Sequence, residues 1–218
     1  MKTLLLTSII IVLIASCKKN SVQIQPPKDE FYFKGMVNGQ YINWSLNANP
    51  GLECDHYGGP YFRPDSGILK VVKYEMGARI IESQFQGNIL NEISISYLSP
   101  IKPSSFNYVI NSFGAGLKQF ANVSFTNTDS VTEGMVIYYT DSTTYVSGFG
   151  DQSTSSFETI SLKDATPDKE YTKIWTARFS CKVYEPYGCY DTVYHPTKIL
   201  EIKDAEVCLP LFTKSDYY

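Results

Sequence analysis

Apolar and polar residues alternate with a period of two along much of this chain, and turn-forming residues interrupt the alternation at short intervals. That period belongs to strands with one buried face. Residues 31–37 (FYFKGMV) run into Asn38-Gly39 and then into residues 40–46 (QYINWSL). Asn-Gly between two such runs predicts a hairpin, because both central residues of a type I′ turn need positive φ. In its second strand Ile42, Trp44 and Leu46 are predicted to face the core, with Tyr41, Asn43 and Ser45 outward. Residues 68–74 and 78–85 read as a second hairpin around Glu75-Met76-Gly77, and residues 89–98 set Ile93, Ile95 and Tyr97 against Ser94 and Ser96. Strands are also predicted over residues 105–113, 118–126, 134–140 and 157–162. Residues 173–184 form the longest candidate, with Trp175, Ala177, Phe179, Cys181 and Val183 on one face, and residues 197–202 and 205–212 close the chain as a final pair. Trp44 and Trp175 are predicted to be buried anchors.

Residues 47–67 stand apart. Pro50-Gly51, Gly58-Gly59-Pro60 and Arg63-Pro64-Asp65 give this stretch the character of a long irregular loop. Loops of that length in a compact domain are often functional. No window places apolar residues at helical spacing for three turns. The expectation is a single all-β domain over residues 31–218, an antiparallel β-sandwich or calycin-like β-barrel of roughly 10–13 strands.

The amino-terminal end breaks the alternation. Met1-Lys2-Thr3 is a short basic start, residues 4–14 are apolar to neutral, and Ile14-Ala15-Ser16-Cys17 follows. This is the layout of a secretory signal peptide, too short to span a bilayer stably. The small pair before Cys17 resembles a bacterial lipobox. The resemblance implies removal of residues 1–16 and lipidation of Cys17, with enough acyl chain for stable anchoring. Residues 17–30 then comprise the lipidated cysteine and a polar tether with Pro26-Pro27, and Lys18-Lys19 lie where they can touch anionic headgroups. The expected location is the outer membrane, lipid-anchored, with the periplasmic face favoured over the cell surface.

Composition narrows the function classes. A net charge of −3 without clustered Lys and Arg excludes a nucleic-acid footprint. The 17 tyrosines and 12 phenylalanines first reflect strand propensity, and secondly offer a stacking face for a glycan or other ligand. The five cysteines become four once Cys17 is lipidated: Cys54, Cys181, Cys189 and Cys208. An even number in an oxidising compartment predicts two disulfides. The preferred pairing is Cys181–Cys208 with Cys54–Cys189, and a Cys181–Cys189 bridge is its close rival.

The opening Phe31-x-Phe33-x-x-x-Val37-Asn38-Gly39-x-x-x-x-Trp44 resembles the first hairpin of uncharacterised lipoproteins common in Bacteroidota, which often read F-x-V-N-G-x-x-W after their tether. The ending, from Trp175 to Cys181 and from Ile199 to Val207, is similar too. The resemblance implies an all-β sandwich or calycin-like barrel. It carries no catalytic residue, since activity in that group is generally unassigned.

Candidate chemistry is sparse. His56 lies in Cys54-Asp55-His56-Tyr57-Gly58-Gly59, and Asp55, His56, Tyr57 and Tyr61 form the candidate binding set. The bland reading is solvated loop residues, and metal ligation by His56 and Asp55 is the sharper one. His195 precedes Pro196 and reads as a turn residue. No G-x-S-x-G elbow is present, and Gly148-Phe149-Gly150-Asp151 leads into strand-like sequence rather than the helix a phosphate cradle needs. The acidic residues Asp151, Glu158, Asp164, Asp168 and Glu170 offer no pair that stands out as glycosidase machinery. No cofactor is expected. The functional expectation is a lipid-anchored envelope module that binds a glycan, a small apolar ligand or another envelope protein. The alternatives are a carboxylate-dependent envelope hydrolase and a structural or accessory subunit of an outer-membrane complex.

Overall fold

A computed structural model describes residues 31–49, 51–65, 68–83, 89–100, 105–122, 131–167, 169, 171–185 and 198–213. The predicted Asn-Gly turn is present. Asn38 and Gly39 take φ of 48° and 81°, and they join β1 (Tyr32–Val37) to β2 (Gln40–Ser45) in unbroken antiparallel register. The chain continues through β3 (Leu52–Asp65), β4 (Ile68–Ser83), β5 (Ile89–Ser99), α1 (Phe106–Ser112), β6 (Gly116–Leu117), β7 (Gly134–Asp141), β8 (Thr144–Val146), β9 (Ser156–Asp164), β10 (Tyr171–Tyr184) and β11 (Ile199–Thr213). The strands form one sheet in the order β2-β1-β11-β10-β8-β7-β5-β4-β3, with β9 beside β10 and β6 beside β9. The fold is all-β, and the sheet curls into a nearly closed barrel. Successive strands β2 and β3 stand at the two edges of that order, and β3 and β4 also come within 8 Å of β11 between Cα atoms.

Four sequence expectations are corrected. Residues 47–67 are not an irregular loop: β3 pairs with β4 from Leu52↔Glu82 to Asp65↔Ile68. Glu75-Met76-Gly77 is not a turn either, because it lies inside β4. Gly77 is there for a close approach, since a Cβ at that position would sit 2.3 Å from the Ile95 carbonyl oxygen on β5. Residues 105–113 hold α1 rather than a strand. Ser105 caps it by accepting a hydrogen bond from the Tyr108 N–H at 3.2 Å, and the i, i+4 pair Val109 and Phe113 is buried. Two turns are too few to show as helical periodicity. The closing pair of strands is one strand, β11, with a bulge. Met36 pairs with Lys203 but Lys34 with Glu206, and Cys181 pairs with Ile202 but Phe179 with Ala205. Both neighbours therefore skip one residue at Lys203-Asp204, where Asp204 takes φ of 50°. The extra residue shifts the alternation so that Leu200 and Ile202 before it, and Ala205, Val207 and Leu209 after it, all face the core. Of residues 118–126, only a single bridge, Phe120↔Met135, is formed, and residues 123–130 lie outside the described set.

The interior is filled by side chains. The predicted face of β10 is buried from Trp175 to Val183. Trp175 stacks on Phe157 at 5.9 Å between ring centroids and meets Phe113 edge-on at 5.1 Å. Phe157 stacks on Phe179 at 5.6 Å, and Phe179 on Phe33 at 6.4 Å. Trp44 is half-buried rather than enclosed, stacked on Tyr139 across the barrel at 6.2 Å. These contacts place Phe113 of α1 and the aromatic stack in the barrel interior.

Candidate polar site on the outer face of the β3–β5 sheet

Alternation decides what β3 presents to each side. Cys54 packs against the core, so Asp55 and Tyr57 take the outer face. Asp55 lies opposite Arg79, and Tyr57 opposite Gly77. The next strand adds Glu92, Ser94 and Ser96, whose neighbours Ile93 and Ile95 are in the core. The Arg79 guanidinium binds the Asp55 carboxylate at 2.9 Å and stands 3.8 Å from Glu92. Its carbon is 5.6 Å from the centroid of the Tyr57 ring, close enough for a cation–π contact. The Tyr57 hydroxyl reaches across β4 to hydrogen-bond the hydroxyls of Ser94 and Ser96, and it donates to Glu75 at 3.5 Å. Gly77, the register partner of Tyr57, carries no side chain there, and a Cβ would stand 2.8 Å from the Ser96 Oγ that Tyr57 reaches.

Burial pushes the Tyr57 phenol well above its usual range, with the Glu75 charge acting the same way and the serine hydrogen bonds opposing. Tyr57 is therefore a neutral hydrogen-bonding group, not a base. Burial also raises Glu92, against the pull of Arg79. The Arg79 Nε is buried without a hydrogen-bond partner. The cluster offers a planar cation, a half-exposed carboxylate and a ring. Such groups can hydrogen-bond and pair with polar groups, and no nucleophile–base pair stands among these.

The sequence-selected residues divide. Asp55 and Tyr57 come together here. His56 takes the alternate register position, opposite Ala78, so adjacent Asp55 and His56 do not share a face of the strand. Among the described residues no three of His, Cys, Asp and Glu gather as a metal site. Tyr61 lies in β3 opposite Lys73, and the side chains of His56 and Tyr61 fall outside the described set. Cys17, Cys189 and His195 lie outside it too.

The preferred disulfide pairing does not survive the register. Although β10 and β11 are neighbours as expected, Cys181 faces Ile202 while Cys208 faces Thr176. Five residues of strand separate the two positions on β10, about 17 Å, against a Cα–Cα limit near 7 Å for a bridge. No disulfide joins Cys54, Cys181 and Cys208.

A second charged group sits on the outer face of β1, β11 and β10. Glu206 accepts from the Tyr32 hydroxyl at 2.6 Å and pairs with Lys34 at 2.9 Å and Arg178 at 2.8 Å. Burial alone raises its carboxyl, but those three hydrogen bonds outweigh it and hold it at about 2. A carboxyl depressed on folding contributes stability above its unfolded pKa near 4.5, and that contribution is lost as pH falls toward 2. Lys34 and Arg178 are exposed, so screening reduces the effect to about 1 kcal/mol. Urea unfolding of Glu206→Gln is expected to run about 1 kcal/mol below the parent at pH 7, with the gap closing toward pH 2. A gap that persists unchanged at pH 2 would show that lost packing, not charge, is responsible.

Beside the β11 bulge lies a cleft of about 190 Å³ bounded by Ser155, Ser180, Lys182, Glu201, Lys203 and Asp204. It is smaller than the roughly 300 Å³ at which small-molecule sites begin. Comparison with protein-family models, curated proteins and solved structures finds no match to this chain.

Proposed function

We propose that this chain is a lipid-anchored protein of the bacterial envelope that works by binding, through the outside of its barrel, and not by catalysis. The amino-terminal layout supports the anchor: basic start, short apolar run, Ala15-Ser16 and then Cys17. The filled interior carries the choice of surface. A barrel that hosts a small apolar ligand keeps a lumen for it, whereas here Phe33, Phe113, Phe157, Trp175 and Phe179 occupy the centre. That favours an envelope protein or a glycan as the partner over a small apolar ligand, with the Asp55–Tyr57–Arg79 face as the docking point. The hydrolase alternative has little to draw on. Burial raises the Glu92 carboxyl, but Arg79 stands beside it and binds the neighbouring Asp55 carboxylate.

Two measurements test this. Cys17→Ala is expected to move the protein from the membrane to the soluble envelope fraction, and unchanged membrane association would sink the anchor. A photo-crosslinker at Asp55 is expected to give a discrete adduct in intact envelopes that one at Thr143, on the far turn between β7 and β8, does not. Equal labelling from both positions would remove the Asp55 face as a docking point. Protection of the anchored protein from protease added to whole cells is the outcome expected for the periplasmic face.

A further inference from the structure

We propose that the free edge of β2 is a self-pairing surface, on which a second copy of this chain adds its own β2, antiparallel, about a twofold axis at Ile42. Among the described residues three strands have a ladder on one side only: β2, β3 and β6. An open edge is a template for another chain, and proteins blunt it with prolines, charges, irregular register or brevity. β6 is two residues long. β3 carries Pro60, Pro64, Asp55 and Arg63, and its register with β4 shifts between Tyr61 and Phe62. β2 has none of these devices. Its sequence, QYINWS, holds no proline and no charge, and its register with β1 is unbroken.

The backbone groups that point outward select the partner. A two-residue turn closes on a hydrogen-bonded pair, here Val37↔Gln40, and the pattern alternates from there. Gln40, Ile42 and Trp44 therefore turn their N–H and C=O groups to β1, as Leu46 does in donating to the Phe31 carbonyl at 3.1 Å. Tyr41, Asn43 and Ser45 turn theirs to the open side. Ser45 is already satisfied: its N–H donates to the Asn49 side-chain oxygen at 3.1 Å, and its carbonyl accepts from the Ala48 and Asn49 N–H groups. That leaves Tyr41 and Asn43, placed symmetrically about Ile42. An antiparallel copy in the register Tyr41↔Asn43 and Asn43↔Tyr41 gives every one of these groups a partner, two hydrogen bonds per pair, as an isologous twofold interface requires. A longer foreign strand would run past Asn43 onto the capped Ser45. The lack of charge also spares self-pairing the repulsion between like charges brought opposite each other. The side chains fit the same register. Tyr41 is 60% exposed, and Ile42 and Trp44 pack on the core yet stay half-buried. Pairing sets Ile42 against its own copy and Trp44 against Gln40, which extends the cover over both apolar residues.

The test uses the purified full-length chain in detergent. Light scattering corrected for detergent is expected to show the protein mass rising with concentration from one copy to two. Asn43→Pro removes an outward N–H that the single copy does not use, so it is expected to fold by circular dichroism and to weaken dimerisation about tenfold or more, since each dimer loses two hydrogen bonds. Asn43→Lys keeps the backbone intact, places a charge on the edge and is expected to weaken dimerisation in the same direction; it carries the comparison if the proline variant does not fold. Oxidation of Ile42→Cys with copper-phenanthroline is expected to give a linked dimer whose peptides join position 42 to position 42. The parent and Asn43→Cys are expected not to give an equivalent link, because the two copies of position 43 stand two residues out of line. A mass of one copy at every concentration, a dimer indifferent to both Asn43 variants, or a link through position 43 in place of position 42 would overturn the proposal. So would a photo-crosslinker at position 41 that, in intact envelopes, captures a different protein and no second copy.

Discussion

Trp175→Ala is expected to lower the stability of the domain by about 3–5 kcal/mol, the cost of emptying a large aromatic site that cannot collapse. The indole is fully enclosed. Its ring is held between Phe157 and Phe113, and Phe157 in turn stacks on Phe179, so its removal unsupports a chain of aromatic contacts rather than one pair. The indole N–H donates to the Thr159 hydroxyl at 3.1 Å, and Thr159 is itself buried. Truncation therefore opens a cavity and strands a buried hydroxyl, two separate penalties. Urea titration followed by tyrosine and Trp44 fluorescence reads the loss directly. Trp175→Phe keeps the ring and forfeits the hydrogen bond, and is expected to recover more than half of it. A loss under 1 kcal/mol for the alanine variant would mean that α1 and β9 do not close over β10 as described.

Gly77→Ala is expected to cost about 3 kcal/mol, an unusually large effect for one methyl group. Its Cβ would lie 2.3 Å from the Ile95 carbonyl oxygen and 2.8 Å from the Ser96 Cα, both backbone atoms of a paired strand. Neither can swing aside, so β4 and β5 must separate locally. The same methyl group would lie 2.8 Å from the Ser96 Oγ and so disturb the hydrogen bond that this hydroxyl shares with Tyr57. Circular dichroism and thermal unfolding report the first consequence. Loss of the Asp55 crosslink in a variant that still folds reports the second. A stable Gly77→Ala protein with an unchanged melting temperature would show that β4 and β5 do not approach each other this closely at Gly77.

These two residues also show where sequence reasoning succeeds and where it runs out. Trp175 sits on a strand whose own alternation marks its buried face, so its environment is legible locally. The Asn38-Gly39 turn is legible for the same reason, since its requirement is set by two residues. Gly77 misleads because a glycine that accommodates a neighbouring strand looks the same, in one dimension, as a glycine that starts a turn. Gly58-Gly59-Pro60 in β3 and Lys203-Asp204 in β11 mislead alike: each reads as a break, and partner strands carry the chain straight through it. The polar site was half legible. Asp55 and Tyr57 stand out in the sequence, and the alternation of residues 89–98 sets Ser94 and Ser96 on one side. Arg79 and Glu92 gave no signal, because only the register of three strands brings them to Asp55.

The placement of β1 against β11 has a consequence for how the molecule comes into being. Tyr32 and Glu206, 174 positions apart, share a hydrogen bond, and the whole of β1 is flanked by β2 and by the last strand of the sheet. The first hairpin thus has no permanent neighbour until the final strand has been made. Non-local pairing of this kind carries a large loop-closure entropy and makes folding slow. A chain that stays open until its far end arrives remains threadable throughout synthesis, so the timing of barrel closure is written into the order of its strands.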